Sequence, residues 1–160
     1  FKGDKMLRHY PQTKDELKSL VDDLSINLGD IETCFVADMS GLFSGTERTD
    51  FSGIESWDTS NVTNMSWMFC RAEHFNENIN SWNVSKVVWM NSMFKGANNF
   101  NQPLDKWDTS SVEWMFEMFF CAKKFNQNLD SWNVNDPLIY DNEMFLGSPL
   151  QNNPPKWYKT

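Results

Sequence analysis

Five tryptophans stand on a fixed ruler in this chain: Trp57, Trp82, Trp107, Trp132 and Trp157, each 25 residues after the last. A chain without internal repetition does not space its largest side chain so evenly. The sequence therefore specifies an array of similar units. Each unit is too small to bury its own apolar face and must bury it against its neighbours.

Aligned on those tryptophans, three units match without a gap. Val62, Met65, Met68, Phe69, Ala72, Phe75, Asn76 and Ile79 recur at Val87, Met90, Met93, Phe94, Ala97, Phe100, Asn101 and Leu104. They recur again at Val112, Met115, Met118, Phe119, Ala122, Phe125, Asn126 and Leu129. The flanks are degraded copies. Val36, Met39, Leu42, Phe43, Phe51 and Ile54 fit upstream with small length changes. Met144 and Phe145 follow Trp132 one residue out of step, among Pro137, Pro149, Pro154 and Pro155. Atypical end units suit an array whose last faces meet water.

Val62, Met65, Met68/Phe69 and Ala72 follow helical spacing, so each unit is expected to carry a short helix of about three turns. Ser60, Ser85 and Ser110 stand where its N-cap belongs, and Ser110 with Glu113 reads as a capping box. Thr59, Val84, Thr109 and Val134 follow a Trp by two residues, which suits one face of a short strand. Asn76, Asn101 and Asn126 are expected to hydrogen-bond loop backbone in their own and the adjacent unit; ordinary turn residues are the alternative. The expected fold is α/β: a leucine-rich-repeat-like, right-handed β-α superhelical solenoid with strands stacked in parallel. Residues 1–30 are expected to be an N-terminal helical cap. Residues 31–160 are expected to be about five coils, the last degenerate, packed as one domain. Within the cap, Thr13 and Glu16 form a capping box ahead of Leu17, Leu20, Val21 and Leu24, predicting a helix of ten to thirteen residues.

Composition excludes several classes. The net charge of −8 leaves no basic stripe for nucleic acid and disfavours docking to anionic lipid. No apolar run approaches a membrane span. With 8 Trp and 13 Phe the core does not lack apolar bulk. Three cysteines, Cys34, Cys70 and Cys121, imply no disulfide framework. No signal-peptide pattern is visible, which is uninformative in a chain that starts at Phe1.

The run Trp57-Asp58-Thr59-Ser60-Asn61-Val62-Thr63-Asn64-Met65-Ser66-Trp67-Met68-Phe69, with Phe75-Asn76, Ile79 and Trp82, resembles the repeat of BspA-type leucine-rich-repeat surface proteins. That family is also known as a mycoplasma-type lipoprotein repeat of unknown function. The resemblance runs from about Ile31 to Trp157, and Tyr10 to Leu17 looks like the leader helix that precedes such repeats. It implies display at the bacterial surface or secretion, and adhesion or host contact. It supplies no catalytic residues. Trp89 and Trp114 depart from the repeat, replacing the polar residue held by Asn64.

Chemistry is sparse. His9 and His74 are the only histidines. Cys70 and His74, four apart, are two ligands at most, and zinc needs more. No phosphate loop, nucleophile elbow or His-Glu-x-x-His motif occurs. Asp58 and Asp108 alternate with Asn83 and Asn133 at one register, so turn or cap roles are expected there rather than catalysis or calcium binding. No enzyme activity, cofactor or metal is expected. The aromatics outside the repeat are the more useful signal. Trp67, Trp89 and Trp114 are expected on a helix flank, with Phe116 and Phe120 adding apolar surface. They form either an interaction patch or a wedge between neighbouring helices. The reading is a non-enzymatic interaction or adhesion module binding a host or bacterial protein or a glycan, as a monomer or with weak self-association. A structural spacer or stalk is the alternative.

Overall fold

The computed structural model describes residues 8–134 and 136–159. The first seven residues of the expected cap, together with Asn135 and Thr160, lie outside the described residues.

One helix, α1, spans Lys14–Asp22. The Thr13 side chain accepts from the Glu16 N–H, and the Glu16 carboxylate accepts in return from Gln12 N–H at 2.6 Å. Leu17 and Val21 are buried, whereas Leu24 is exposed, so the helix ends before the apolar pattern does. Arg48 accounts for that ending. It is buried, and its guanidinium donates to the carbonyls of Val21, Asp23, Ile26 and Asp50 at 2.9–3.3 Å. An arginine far along the chain thus satisfies carbonyls that a further helical turn would have used.

The β-α superhelical solenoid expected from the repeat does not form. Beyond α1 the described residues hold only short 3-10 turns at Leu28–Asp30, Ile54–Ser56, Pro137–Ile139 and Pro149–Gln151, with isolated parallel bridges and no sheet. The helix expected in each unit is broken by left-handed residues at every fourth position. Trp67, Arg71, Ser92, Glu117 and Cys121 have φ between 52° and 62°, in register with Gly41, Gly45, Gly96 and Gly147. A bulky residue there costs roughly 1–2 kcal/mol.

Hydrogen bonding and burial offset that cost. The N–H groups of Met65, Trp67, Phe69 and Arg71 donate to the carbonyls of Trp89, Asn91, Met93 and Lys95 in the next unit, at 2.7–2.9 Å. Between them, Met68, Cys70 and Ala72 close tight turns onto Met65, Trp67 and Phe69 at 3.0–3.2 Å. The same alternation recurs from Met39 to Gly45 and from Met90 to Gly96. Every second N–H therefore knits unit to unit. A chain of such turns buries residues i, i+3, i+4 and i+7, which is the pattern a helix would also show.

The expected strand beside each Trp is likewise replaced. Asp58, Asn83 and Asp108 accept the N–H of Ser60, Ser85 and Ser110 at 2.9–3.1 Å, forming Asx turns. These serines cap no helix, and Ser110 with Glu113 makes no capping box. The bridges fall elsewhere, linking Asp38, Asn64, Trp89 and Trp114 in parallel.

The core is a stack of rings. Phe43, Phe69, Phe94, Phe119 and Phe145 follow one another with centroids 5.5–5.8 Å apart and planes within 10°. Phe75, Phe100 and Phe125 form a second column at 5.3 and 5.6 Å. Each ladder Trp donates Nε1–H to a carbonyl one unit back: Trp57 to Leu28, Trp82 to Ile54, Trp107 to Ile79, Trp132 to Leu104 and Trp157 to Leu129, at 2.8–3.1 Å. The Asn76 and Asn101 side chains each accept the backbone N–H of the next copy at 2.9 Å, from half-exposed or exposed positions.

Candidate interaction face

The knitted turns present their outward residues in columns, one residue per unit. The bridged column reads Asp38, Asn64, Trp89, Trp114. The left-handed column reads Gly41, Trp67, Ser92, Glu117. Trp89 and Trp114 are the bulky members of the first column and Trp67 of the second.

Trp67, Trp89 and Trp114 are 45%, 41% and 42% exposed. Phe116 and Phe120 are half-buried. None of the three tryptophans lies on a helix flank, since the helices are absent. They stand on the knitted face instead, where the backbone is held from both sides by inter-unit hydrogen bonds.

Two groups of contacts result. Trp114 meets Phe116 edge-on, centroids 5.6 Å apart, and Trp89 adjoins Trp114 through the backbone bridge. In the second group, Lys95 Nζ lies 4.8 Å from the Phe120 ring centre and 5.8 Å from that of Trp67. The same ammonium meets Glu117 Oε2 at 2.7 Å, and Ser92 Oγ donates to that oxygen at 3.1 Å. The Lys95 hydrogen bond holds the Glu117 carboxyl below its ordinary value, outweighing its partial burial. Sequence reading singled out neither Lys95 nor Glu117. They are 22 residues apart, outside helical spacing, but three short of the 25-residue ruler, and that offset would have found them.

The remaining polar groups serve turns. Hydrogen bonds from Ser60 and Ser110 lower the carboxyls of Asp58 and Asp108. Cys34, Cys70 and Cys121 are free thiols; Cys70 is buried, and burial pushes its thiol up. His74 is exposed, on a turn rather than on a helix shared with Cys70. Among the described residues no group of three or more His, Cys, Asp and Glu side chains is placed to hold a metal ion. No helix among them is long and apolar enough to cross a membrane. A polar cleft of about 300 Å³ is lined by Asn126, Gln127, Asn128, Asp130, Asn153 and Lys156, among others.

Residues 37–157 match the family described as "Mycoplasma protein of unknown function, DUF285". Neither the curated proteins nor the solved structures contain a match. The match shows the mycoplasma-type repeat family anticipated from the motif; its description names neither leucine-rich repeats nor BspA-type proteins.

Proposed function

This chain belongs to the Mycoplasma protein family of unknown function, DUF285, and from that premise we propose that it is a non-catalytic interaction module. Its working surface is the knitted face bearing Trp67, Trp89, Trp114, Phe116 and Phe120, and its ligand is a protein or glycan met at the bacterial surface or after secretion. The observation that carries the reading is the exposure of three tryptophans on a backbone pinned by inter-unit hydrogen bonds. Contiguous exposed aromatics mark interaction sites, and Trp is a frequent hot-spot residue. The motif's similarity to BspA-type surface proteins supports display outside the cell.

The test is an array of glycans and surface proteins probed with the wild-type chain and with the Trp67→Ala/Trp89→Ala/Trp114→Ala variant. Binding is expected for the wild type and lost in the variant, at unchanged melting temperature. If no ligand is retained, or if the variant retains it equally, the module reading fails and a plain spacer takes its place.

A further inference from the structure

We propose that the Trp89, Trp114 and Phe116 portion of the face takes a lysine or arginine side chain from a partner protein, with Glu113 opposing its charge. This rests on the interaction-module reading and narrows its ligand from protein or glycan to a basic protein segment.

The molecule contains a worked example of the same chemistry. Lys95 lies over the Phe120 and Trp67 rings while its ammonium meets the Glu117 carboxylate. Aromatic faces attract cations through their quadrupole, and a carboxylate behind them neutralises the charge. Earlier along the same two knitted runs, Trp89, Trp114 and Phe116 repeat the aromatic part. Glu113, the residue before Trp114 in the chain, offers an exposed carboxylate. It is exposed and takes part in no ion pair among the described residues. This second set holds no cation of its own.

The nearby cations are engaged elsewhere. Lys95 is held by Glu117, and Lys86 reaches away to Asn61 Oδ1 at 3.2 Å. Arg71 belongs to the unit of Trp67, four residues along the turn chain. The whole chain carries 22 acidic against 14 basic residues, so its field draws a basic partner and repels an acidic one. Phe116 meets Trp114 edge-on, and Trp89 stands on the neighbouring bridged backbone about 4.8 Å away, so the aromatic platform centres on Trp114. A planar guanidinium or an ammonium on a long stem suits such a platform.

The test is isothermal titration of the full chain with three probes. They are a short extended peptide with Lys and Arg at alternate positions, the same peptide with Glu there, and a neutral β-linked glucose oligomer. The basic peptide is expected to bind and the Glu peptide not. Trp114→Ala is expected to weaken binding about fivefold, the upper range of an exposed cation–aromatic contact. Glu113→Gln is expected to weaken it about twofold to fivefold, and added salt to weaken it further. Both substituted side chains are exposed, so melting temperature checks the fold.

Equal binding of the basic peptide by wild type, Trp114→Ala and Glu113→Gln would overturn the proposal, leaving only diffuse attraction. Binding of the neutral oligomer alone, lost in Trp114→Ala, would overturn it while the interaction-module reading stands. Binding of none of the three would also overturn it, and the array of the preceding section then decides the module reading separately.

Discussion

Trp107→Ala removes the ladder tryptophan of the middle unit. Trp107 is 3% exposed, stacks on Trp132 with centroids 6.2 Å apart, and meets Phe94 at 6.3 Å. Truncating a core aromatic of this kind costs about 3–5 kcal/mol in lost burial and residual cavity. Its hydrogen bond adds little. The Ile79 carbonyl that accepts Trp107 Nε1–H also accepts the Trp82 N–H at 3.1 Å, so no buried acceptor is orphaned. Trp107→Phe, which loses the indole N–H and part of the ring system, is therefore expected to cost only about 1–2 kcal/mol. In a chain of this length the Ala variant should melt roughly 6–20 °C lower. Trp157→Ala provides the contrast. That indole, against Trp132, Tyr140, Phe145 and Tyr158, is only half-buried at the end of the ladder, so less burial is lost and about 1–2 kcal/mol is expected. Urea and thermal unfolding followed by far-UV circular dichroism would measure all three. A Trp107→Ala melting curve superimposing on the wild type would refute the ring-stack account. So would a Trp157→Ala loss as large as that of Trp107→Ala.

Other expectations concern the turns and the ends. Arg71→Gly separates the turn ladder from a helix: in a helix it would cost about 1 kcal/mol, but at φ 56° it relieves strain, so melting should hold or rise. Gly53→Ala should be severely destabilising, because φ is 89° and a Cβ would sit 2.4 Å from the Gly29 nitrogen; a variant as stable as the wild type would contradict that packing. Arg48→Met leaves the carbonyls of Val21, Ile26 and Asp50 without the guanidinium donor, while that of Asp23 keeps the Ile26 N–H, and a loss of about 2–4 kcal/mol is expected, with faster amide exchange in α1. Acid should weaken the fold. The folded-state carboxyls of Asp58, Asp108 and Glu117 are lowered, so their contribution is complete above the unfolded values of about 3.9 and 4.3 and disappears as pH falls through the folded ones. Asp58→Asn should blunt that acid sensitivity while keeping the turn, as Asn83 does one unit on; a denaturant midpoint flat from pH 6 to about pH 3 would count against it.

Much of this organisation was legible in the residues. The 25-residue ruler announced a stack and named its core: Met65, Met68, Phe69, Phe75 and their copies are fully buried. Thr13 and Glu16 announced α1. The alternation of Asp with Asn at positions 58, 83 and 108 announced turn residues. The exposure of Trp67, Trp89 and Trp114 was not legible, because an off-pattern Trp fits a surface patch and an inter-helix wedge equally well. The form of each unit was misread for a definite reason. Spacing of i, i+3, i+4 and i+7 is common to a helix and to linked tight turns, and nothing local separates the two. Trp, Arg, Ser, Glu and Cys at the left-handed positions even argue for the helix, because none of them favours that conformation.

What the sequence determines alone is therefore the period of the array, the residues that fill its interior, and the helix at its start. Those follow from side-chain chemistry and local capping. The backbone form of the units, the end of α1 at Arg48, and the pairing of Lys95 with Glu117 beside Trp67 and Phe120 were decided only in the stack. There, N–H groups of one unit find carbonyls of the next, and those inter-unit hydrogen bonds outweigh the local preference for a helix.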